Sequence, residues 1–385
     1  MHVCWRFFVS SVLISAASSI TDEVDVQLKA IASVQPGAKG STAARAARDK
    51  LAQQGPELLP RLLDAMDTEN LVAANWYRTV YEEIVARELA KEQPRLPVDF
   101  MKNYVKSPKR QGRVRRLLLS LLEQQEPGLR NSLLPTFLDD PEFREDAVAF
   151  TIEQGDAAKS RGETDPAKQA FRTAFDHARD SGQITSAAAK LRQLGEPVSI
   201  VDHMGFVIDW FLLGPFDAPE TTGFDASFPP EQSIDLKAEY DGKDGARIRW
   251  KRRHTDDPLG QINLIQAIAP VKEAVGYAYA ELQSADDVDC QLRCGADDNC
   301  TVWLNGEMIF SRLQWLNGTR LDRFTAPAHL KRGTNRLLVK ICQGPQHKNP
   351  AVPNNWSLQL RFCDPQGAGI PLKSLLPPIA DAQSQ

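Results

Sequence analysis

The sequence predicts two domains of different class: an N-terminal α-helical domain followed by a C-terminal antiparallel β-sandwich. Apolar residues recur at helical spacing in the first half, and near Val198 this gives way to short runs of alternating apolar and polar side chains. A length of 385 residues fits two or three domains of ordinary size. We assign residues 24–197 to the helical domain, 198–371 to the sandwich and 372–385 to a mobile tail.

The composition is that of an ordinary globular protein and gives no electrostatic case for nucleic acid. Hydrophobic residues make up 42% of the chain and charged residues 25%, which argues against a disordered, collagen-like or coiled-coil chain. The 46 Lys plus Arg residues stand against 50 Asp plus Glu, for a net charge of -4. Because nucleic-acid binding needs a basic patch, we do not expect a nucleic-acid partner.

The first 19 residues have the pattern of a signal peptide. Arg6 precedes an apolar run over residues 7–17, and small residues follow at 15–19. The run is too short to span a bilayer and no later segment approaches that length, so we expect no transmembrane segment after its removal. The expected location is secreted or periplasmic. An N-terminal strand or helix is the alternative interpretation.

The helical half shows amphipathic stripes and clear helix starts. One stripe runs over residues 114–122 and another over 167–178, and Asp140-Pro141 and Asp165-Pro166 have the composition of capped helix beginnings. We interpret residues 41–92, 97–125 and 127–155 as helix pairs, a spacing compatible with an irregular HEAT-type solenoid. A compact helical bundle is the alternative.

The second half contains short alternating runs separated by Gly, Pro, Asp and Asn, as in a sandwich or barrel. The predicted strands are Phe206–Leu213, Arg247–Arg252, Ile262–Ile265, Val275–Leu282, Val288–Cys294, Cys300–Leu304, Arg336–Cys342 and Trp356–Cys363. Asn305-Gly306 predicts a two-residue hairpin turn between residues 301 and 310, because this pair tolerates positive φ angles.

All cysteines after Cys4 lie in the β half. Alternation places Cys342 and Cys363 on the outer faces of their strands at matching ends, so we predict them as a possible disulfide, with two small filler side chains as the alternative. Cys290 and Cys294 have the inward register of small buried residues. Their spacing lacks the paired pattern of a zinc site, and we expect no metal and no cofactor.

Several motifs resemble, in the same order, those of a family of exported bacterial proteins. They are Trp210–Asp217, Gly223–Asp225, Phe228–Glu231, His254–Pro258, Val302–Gly306 and Asn335–Lys340, with Asp139–Val148 similar to that family's last helical unit. The resemblance covers about Asp140 to Pro371. It implies a jelly roll similar to galactose-binding-like sandwiches behind a HEAT-like region, and it implies an architecture rather than an activity.

No catalytic motif is present, so we assign no catalytic residue and expect a non-enzymatic protein. The most catalytic-looking cluster is His254 with Asp256 and Asp257, which has the composition of a tight turn; a cryptic hydrolase is the less favoured alternative. Where the family carries Gly-Ser-Asp-Asp-Gly, this chain has Gly295–Asn299. The paired Asp297 and Asp298 could bind calcium, but turn capping is the preferred interpretation.

Two loops supply the candidate binding site, because ligand pockets combine aromatic walls with a few polar groups. The first loop contributes Trp315, Arg320, Asp322 and Arg323, and the second contributes His347, Asn354, Asn355 and Trp356. If both open at one end of the sandwich they could bind a saccharide or a peptide. Trp303, in the regular hairpin, is expected in the core. The alternative function is a scaffold that binds another exported protein through the helical surface.

Overall fold

The computed structural model describes residues 23–314, 318–349 and 354–376. The predicted order of helices followed by antiparallel strands is confirmed, since helices continue to Met204 and the first strand begins at Asp209. The chain forms two compact units that divide between Phe150 and Thr151. The boundary predicted near Val198 therefore marks the change of secondary structure, whereas the packing divides earlier. The predicted signal peptide, residues 1–19, lies outside the described residues, as does most of the predicted tail.

The first unit is helical. Its helices are α1 (residues 23–32), α2 (Ser41–Ala52), α3 (Leu59–Met66), α4 (Leu71–Leu89), α5 (Val98–Lys106), α6 (Gly112–Gln125) and α7 (Leu129–Leu133), with α8 (Arg144–Ser160) containing the point of division. Asn70 caps α4 by accepting from the backbone N–H groups of Val72 and Ala73. The range 41–92 holds three helices rather than the predicted pair. The HEAT-like repetition stays a prediction.

An ion pair lies inside this helical core. The Arg115 guanidinium, on α6, donates to both carboxylate oxygens of Asp140 at 3.0 and 2.6 Å and to the Val105 carbonyl at 2.8 Å. Both side chains are buried, and Phe137 and Phe143 flank the guanidinium. Burial alone would raise the pKa of Asp140, but the hydrogen bonds and charge of Arg115 outweigh it and hold the pKa below its usual value.

The second unit combines three helices with the β-sandwich. The helices are α9 (Thr164–His177), α10 (Ser181–Gln193) and α11 (Ile200–Met204). The strands are β1 (Asp209–Asp217), β2 (Glu239–Asp241), β3 (Arg247–Arg249), β4 (Lys251–His254), β5 (Ile262–Asn263), β6 (Ala274–Ser284), β7 (Val288–Ala296), β8 (Cys300–Leu304), β9 (Glu307–Arg312), β10 (Phe324–Leu330), β11 (Gly333–Gln343), β12 (Ser357–Cys363) and β13 (Lys373–Ser374). Short helices α12 (Pro229–Gln232) and α13 (Leu264–Ala267) lie between strands.

Two antiparallel sheets form the sandwich. The larger has the order β4-β1-β6-β11-β8-β9, with β13 also on β6, and the smaller has the order β10-β7-β12-β5. Leu292 and Leu360 of the smaller sheet and Val302 and Val339 of the larger lie in one buried core. The sandwich core therefore lies between the sheets, and β9 and β10 are edge strands.

The structure confirms one predicted hairpin turn of the β half and contains one strand that was not predicted. Asn305 and Gly306 join β8 to β9 with φ angles of +56° and +85°, as the predicted hairpin turn requires. Strand β10 was not predicted because Pro327 interrupts its pattern. Proline is tolerated there because β10 is an edge strand, whose outer side needs no hydrogen-bond donor.

The predicted Cys342–Cys363 disulfide is wrong. Cys342 pairs with Val275 in the larger sheet and Cys363 with Gln291 in the smaller, so the two are not cross-strand neighbours. The five cysteines of the described residues are all thiols and all buried. The inward placement of Cys290 and Cys294 is confirmed. Burial raises the pKa of Cys342 to about 12 and that of Cys290 to about 11.

The described part of the chain contains neither a membrane-spanning helix nor a cluster of metal ligands. No helix within residues 23–314, 318–349 and 354–376 is long and apolar enough to cross a bilayer. The same residues contain no group of three or more His, Cys, Asp or Glu side chains positioned to hold a metal ion.

Replacing Asp140 by alanine should destabilise the protein by about 3–5 kcal/mol, because it leaves the Arg115 charge buried and unpaired. Because the folded pKa of Asp140 lies below its unfolded value, its stabilisation is present above the unfolded pKa and is lost as pH falls through the folded pKa. Urea unfolding measures both effects. The control is Glu82→Ala, which breaks an exposed pair with Arg78 and should cost no more than about 0.5 kcal/mol. Equal costs for the two variants would contradict the assignment.

The five thiols between residues 290 and 363 should react slowly with Ellman's reagent in the native protein, because all five are buried and burial raises the pKa of Cys290 and Cys342. All five should titrate at once in denaturant under non-reducing conditions. A chain beginning at residue 23 avoids the signal from Cys4. A disulfide-linked peptide pair containing Cys342 and Cys363, detected by mass spectrometry, would contradict the structure.

Candidate functional site

Two aromatic side chains with a leucine between them form a row across the outer face of the larger sheet, which we call the aromatic row. On β11, Leu338 lies directly between Tyr279 of β6 and Trp303 of β8 in the strand register. Directly paired residues project to the same face, so the three side chains lie side by side on the face opposite the sandwich core. Tyr279 and Leu338 are buried and Trp303 is half-buried.

A charged row borders the aromatic one. Arg336 pairs with Glu281 in the register, one step of the pleat beyond Leu338 and Tyr279. The Tyr279 hydroxyl donates to Glu281 Oε1 at 2.7 Å, and Arg336 Nε lies 3.5 Å from the same oxygen. Burial, reinforced by the Glu281 carboxylate, raises the pKa of Tyr279. Tyr279 therefore stays a neutral donor that orients Glu281 throughout the physiological pH range.

A segment between β1 and β4 covers the other end of this outer face. Phe216, Trp250, Tyr277 and Cys342 belong to a second hydrophobic core, against which Phe224, Phe228, Ile234 and Tyr240 also pack. Alternation correctly predicts that Lys340 and Cys342 face away from the sandwich core. The cover explains why both are nevertheless buried.

Lys340 anchors this cover. Its ammonium group lies 2.9 Å from Glu231 Oε1 and donates to the carbonyl oxygens of Phe224 at 3.1 Å and Ala226 at 2.5 Å. The Tyr277 hydroxyl also donates to Glu231. The Lys340 side chain is only 2% exposed, so these acceptors compensate for the loss of water around its charge.

Where the cover ends, a cleft of about 700 Å³ remains, which we call the outer-face cleft. Its floor is the aromatic row, its wall is the segment 230–236, and its rim carries Glu281, Arg336, Lys331 and Asn305. The arrangement combines an aromatic surface with charged and amide groups, so it can pack against an apolar ligand face while hydrogen bonding to hydroxyl groups.

Trp303 was expected in the core, and this expectation is wrong. Val302 and Leu304 point into the sandwich core, so Trp303 between them points to the outer face. Alternation in Val302-Trp303-Leu304 contained this signal. The expectation of burial rests on the regular hairpin alone.

The two loops predicted to form the site approach each other at the start of β12. Thr319 Oγ1 lies 2.6 Å from Ser357 Oγ, so the first loop contacts the start of β12. Arg320 and Arg323 line a shared cleft of about 620 Å³ with Phe310, Arg312 and Phe324, among others. We call it the edge cleft. Trp315 lies outside the described residues.

Two of the predicted ligand residues have side chains that serve the fold. Trp356 is buried in the sandwich core, beneath Gly276, so a ligand cannot reach its ring and its assignment is wrong. Asp322 accepts hydrogen bonds from Arg361 at 2.8 and 2.6 Å and from Arg293 at 3.2 Å. These bonds use its carboxylate within the fold.

The remaining predicted residues make local contacts at the second loop. His347 is exposed, and its ring nitrogen accepts from the Asn349 backbone N–H at 3.0 Å. The Gln343 amide donates to Asn354 Oδ1 at 2.8 Å and to the Asn355 carbonyl at 3.0 Å. Among the eight predicted residues, Arg320 and Arg323 are the two that the structure brings together on one described cleft.

Asp257 caps its own turn, as predicted, whereas Asp297 and Asp298 bind groups far away in the sequence. Asp297 Oδ2 accepts from Ser357 Oγ at 2.9 Å and Asp298 Oδ2 from the Gly344 N–H at 2.8 Å. Asp257 accepts from the N–H groups that follow it in its own turn. On the edge strand β4, His254 contacts Asp209 at 3.0 Å and the fully exposed Asp256 at 3.4 Å.

No protein-family model and no curated protein matches the chain. Among solved structures it is similar to a family 35 carbohydrate-binding module from an environmental isolate, with 13% identity over 26% of this chain and 72% of that one, and a TM-score of 0.20. It is also similar to a PA14 sugar-binding domain from an RTX adhesin, with 11% identity over 44% of this chain and 96% of that one, and a TM-score of 0.22.

A third similar structure is an anti-sigma factor domain-containing protein from Clostridium clariflavum, with 11% identity, a TM-score of 0.25 and 46% of this chain covered. This chain spans half of that relative's length. At these TM-scores the likenesses carry no functional argument, so the site is judged on its own geometry. The family resemblance in the motifs stays a prediction.

Lys340→Met should loosen the wall of the outer-face cleft, because Glu231 and two carbonyl groups lose their shared donor. We expect a loss of about 3–5 kcal/mol in urea unfolding, since one partner of a buried ion pair is removed. Limited proteolysis should cut faster within residues 218–236. The control is Lys237→Met, at an exposed position on the same segment, which should leave both measurements unchanged. Equal cleavage rates in both variants would argue against Lys340 as the anchor.

Proposed function

We propose that this is an exported, non-enzymatic saccharide-binding protein that holds its ligand in the outer-face cleft. The observation that carries the proposal is the aromatic row of Tyr279, Leu338 and Trp303 beside the charged row of Glu281 and Arg336. An aromatic floor packs against the C–H face of a sugar ring, while the charged rim hydrogen bonds to its hydroxyl groups.

The size and stiffness of the cleft support the proposal. Its volume of about 700 Å³ lies within the usual range of ligand sites. The floor belongs to three adjacent strands, and Glu281 is held by the Tyr279 hydroxyl before any ligand arrives. Because these groups are already ordered, binding costs less conformational entropy than it would on mobile loops.

Trp303→Ala should weaken saccharide binding by about thirtyfold, roughly 2 kcal/mol, because it removes the half-buried aromatic surface of the floor. A glycan array with the full chain identifies the saccharide, and calorimetric titration then measures its affinity. Arg336→Gln should weaken binding without a folding cost, because its side chain is 71% exposed. Leu71→Ala, at an exposed apolar position in the other unit, is the control and should bind normally.

Two outcomes would overturn the proposal. The first is a wild-type chain that retains no glycan on the array. The second is a Trp303→Ala variant that unfolds at the same urea concentration as the wild type and binds the glycan equally well. Hydrolysis of the bound glycan during the titration would instead contradict the non-enzymatic part.

A further inference from the structure

We propose that the edge cleft binds the acid groups, carboxylate or sulfate, of an acidic saccharide. The class of ligand, a saccharide, rests on the proposed function. Its acidity is inferred independently, from the charges and geometry of the edge cleft itself.

The edge cleft lies where the two sheets leave the sandwich open. Strand β9 is the edge of the larger sheet and β10 is an edge of the smaller one. The rings of Phe310 on β9 and Phe324 on β10 pack with their centroids 5.3 Å apart. These rings close the core between the edge strands, and the cleft of about 620 Å³ opens beside them.

Three arginines line this cleft, and no acidic residue of the described part of the chain lines it with them. Arg312 and Arg320 are exposed, and the Arg312 side chain lies 3.5 Å from the neutral amide of Gln314. Within the described ranges, Arg312, Arg320 and Arg323 make no ion pair within 4.0 Å. One guanidinium nitrogen of Arg323 is buried without a hydrogen-bond partner among those residues.

The acid between Arg320 and Arg323 in the sequence does not neutralise these charges. Asp322 lies between Leu321 and Arg323 in the chain, but its carboxylate is bound by Arg361 and Arg293. Burial would raise the pKa of Asp322, and the hydrogen bonds and charge of Arg361 outweigh it and lower the pKa. Asp322 therefore remains ionised and paired with Arg361, and the cleft keeps its positive charge.

Arginine side chains are well suited to the ligand that we propose. Their planar guanidinium groups bind carboxylate and sulfate oxygens through paired hydrogen bonds. Three positive groups around one concave surface also attract an anion from solution and repel a cation. The phenyl rings of Phe310 and Phe324 add an apolar wall beside these donors.

The test titrates the full chain with four probes: oligogalacturonate, a heparin-derived sulfated oligosaccharide, a neutral oligosaccharide and poly-glutamate. We expect one or both acidic oligosaccharides to bind, and their relative affinity tells carboxylate from sulfate. Arg312→Gln and Arg320→Gln should each weaken that binding about tenfold. Raising the salt concentration should weaken it further, because exposed charges are screened. Arg249→Gln removes an equal charge from an exposed position on β3 and should bind normally.

The outcomes separate this inference from the proposed function. Acidic oligosaccharides that fail to bind, or that bind both cleft variants as tightly as the wild type, overturn the inference, even when neutral glycans still bind through Trp303. Acidic oligosaccharides that bind Trp303→Ala normally, with no neutral glycan retained by the wild type, support the inference and overturn the outer-face proposal. Binding of poly-glutamate alone would replace the saccharide with an acidic peptide.

Discussion

The buried ammonium group of Lys340 is bound by acceptors of the protein itself. The segment that covers the outer face of the larger sheet is organised around this group. An unpaired charge at this depth would cost several kcal/mol, so the chain must bring acceptors to it. Glu231 and the carbonyl groups of Phe224 and Ala226 are those acceptors. They close one segment over the outer face of the larger sheet, which gives that sheet a hydrophobic core on both sides.

The outer-face cleft follows from where this cover stops. Tyr277 lies under the cover and Tyr279, two residues further along the same strand, lies at its margin. The aromatic row lies at this margin. The sheet fixes its side chains from below, and beyond the cover the row faces solvent. Rigid aromatic surface of this kind binds a ligand with little loss of side-chain entropy.

Alternation predicted the faces of the β11 residues correctly, but not what covers the outer face or which strands are neighbours. It placed Leu337, Val339 and Ile341 inside and Lys340 outside, as observed. The segment between β1 and β4 that buries the outer face, residues 218–250, has no local signature in the sequence. The Cys342–Cys363 prediction failed for a related reason, since strand order depends on long-range pairing. Arg320 and Arg323 of the edge cleft were identified from loop composition, but Arg312 on β9 was not. Trp303 was missed because its regular hairpin suggested burial.

Two buried ion pairs of the β unit have different consequences for its two clefts. The pair of Lys340 with Glu231 fixes the wall of the outer-face cleft. The pair of Arg361 with Asp322 engages the Asp322 carboxylate, so this carboxylate does not neutralise the arginines of the edge cleft. The pKa of Asp322 is lowered and that of Arg361 is raised, so neither group titrates near neutral pH. Arginine also keeps its charge over that range. Any pH dependence of anion binding at the edge cleft therefore comes from the acid groups of the ligand, which makes a carboxylate ligand sensitive to mild acid and a sulfated one insensitive.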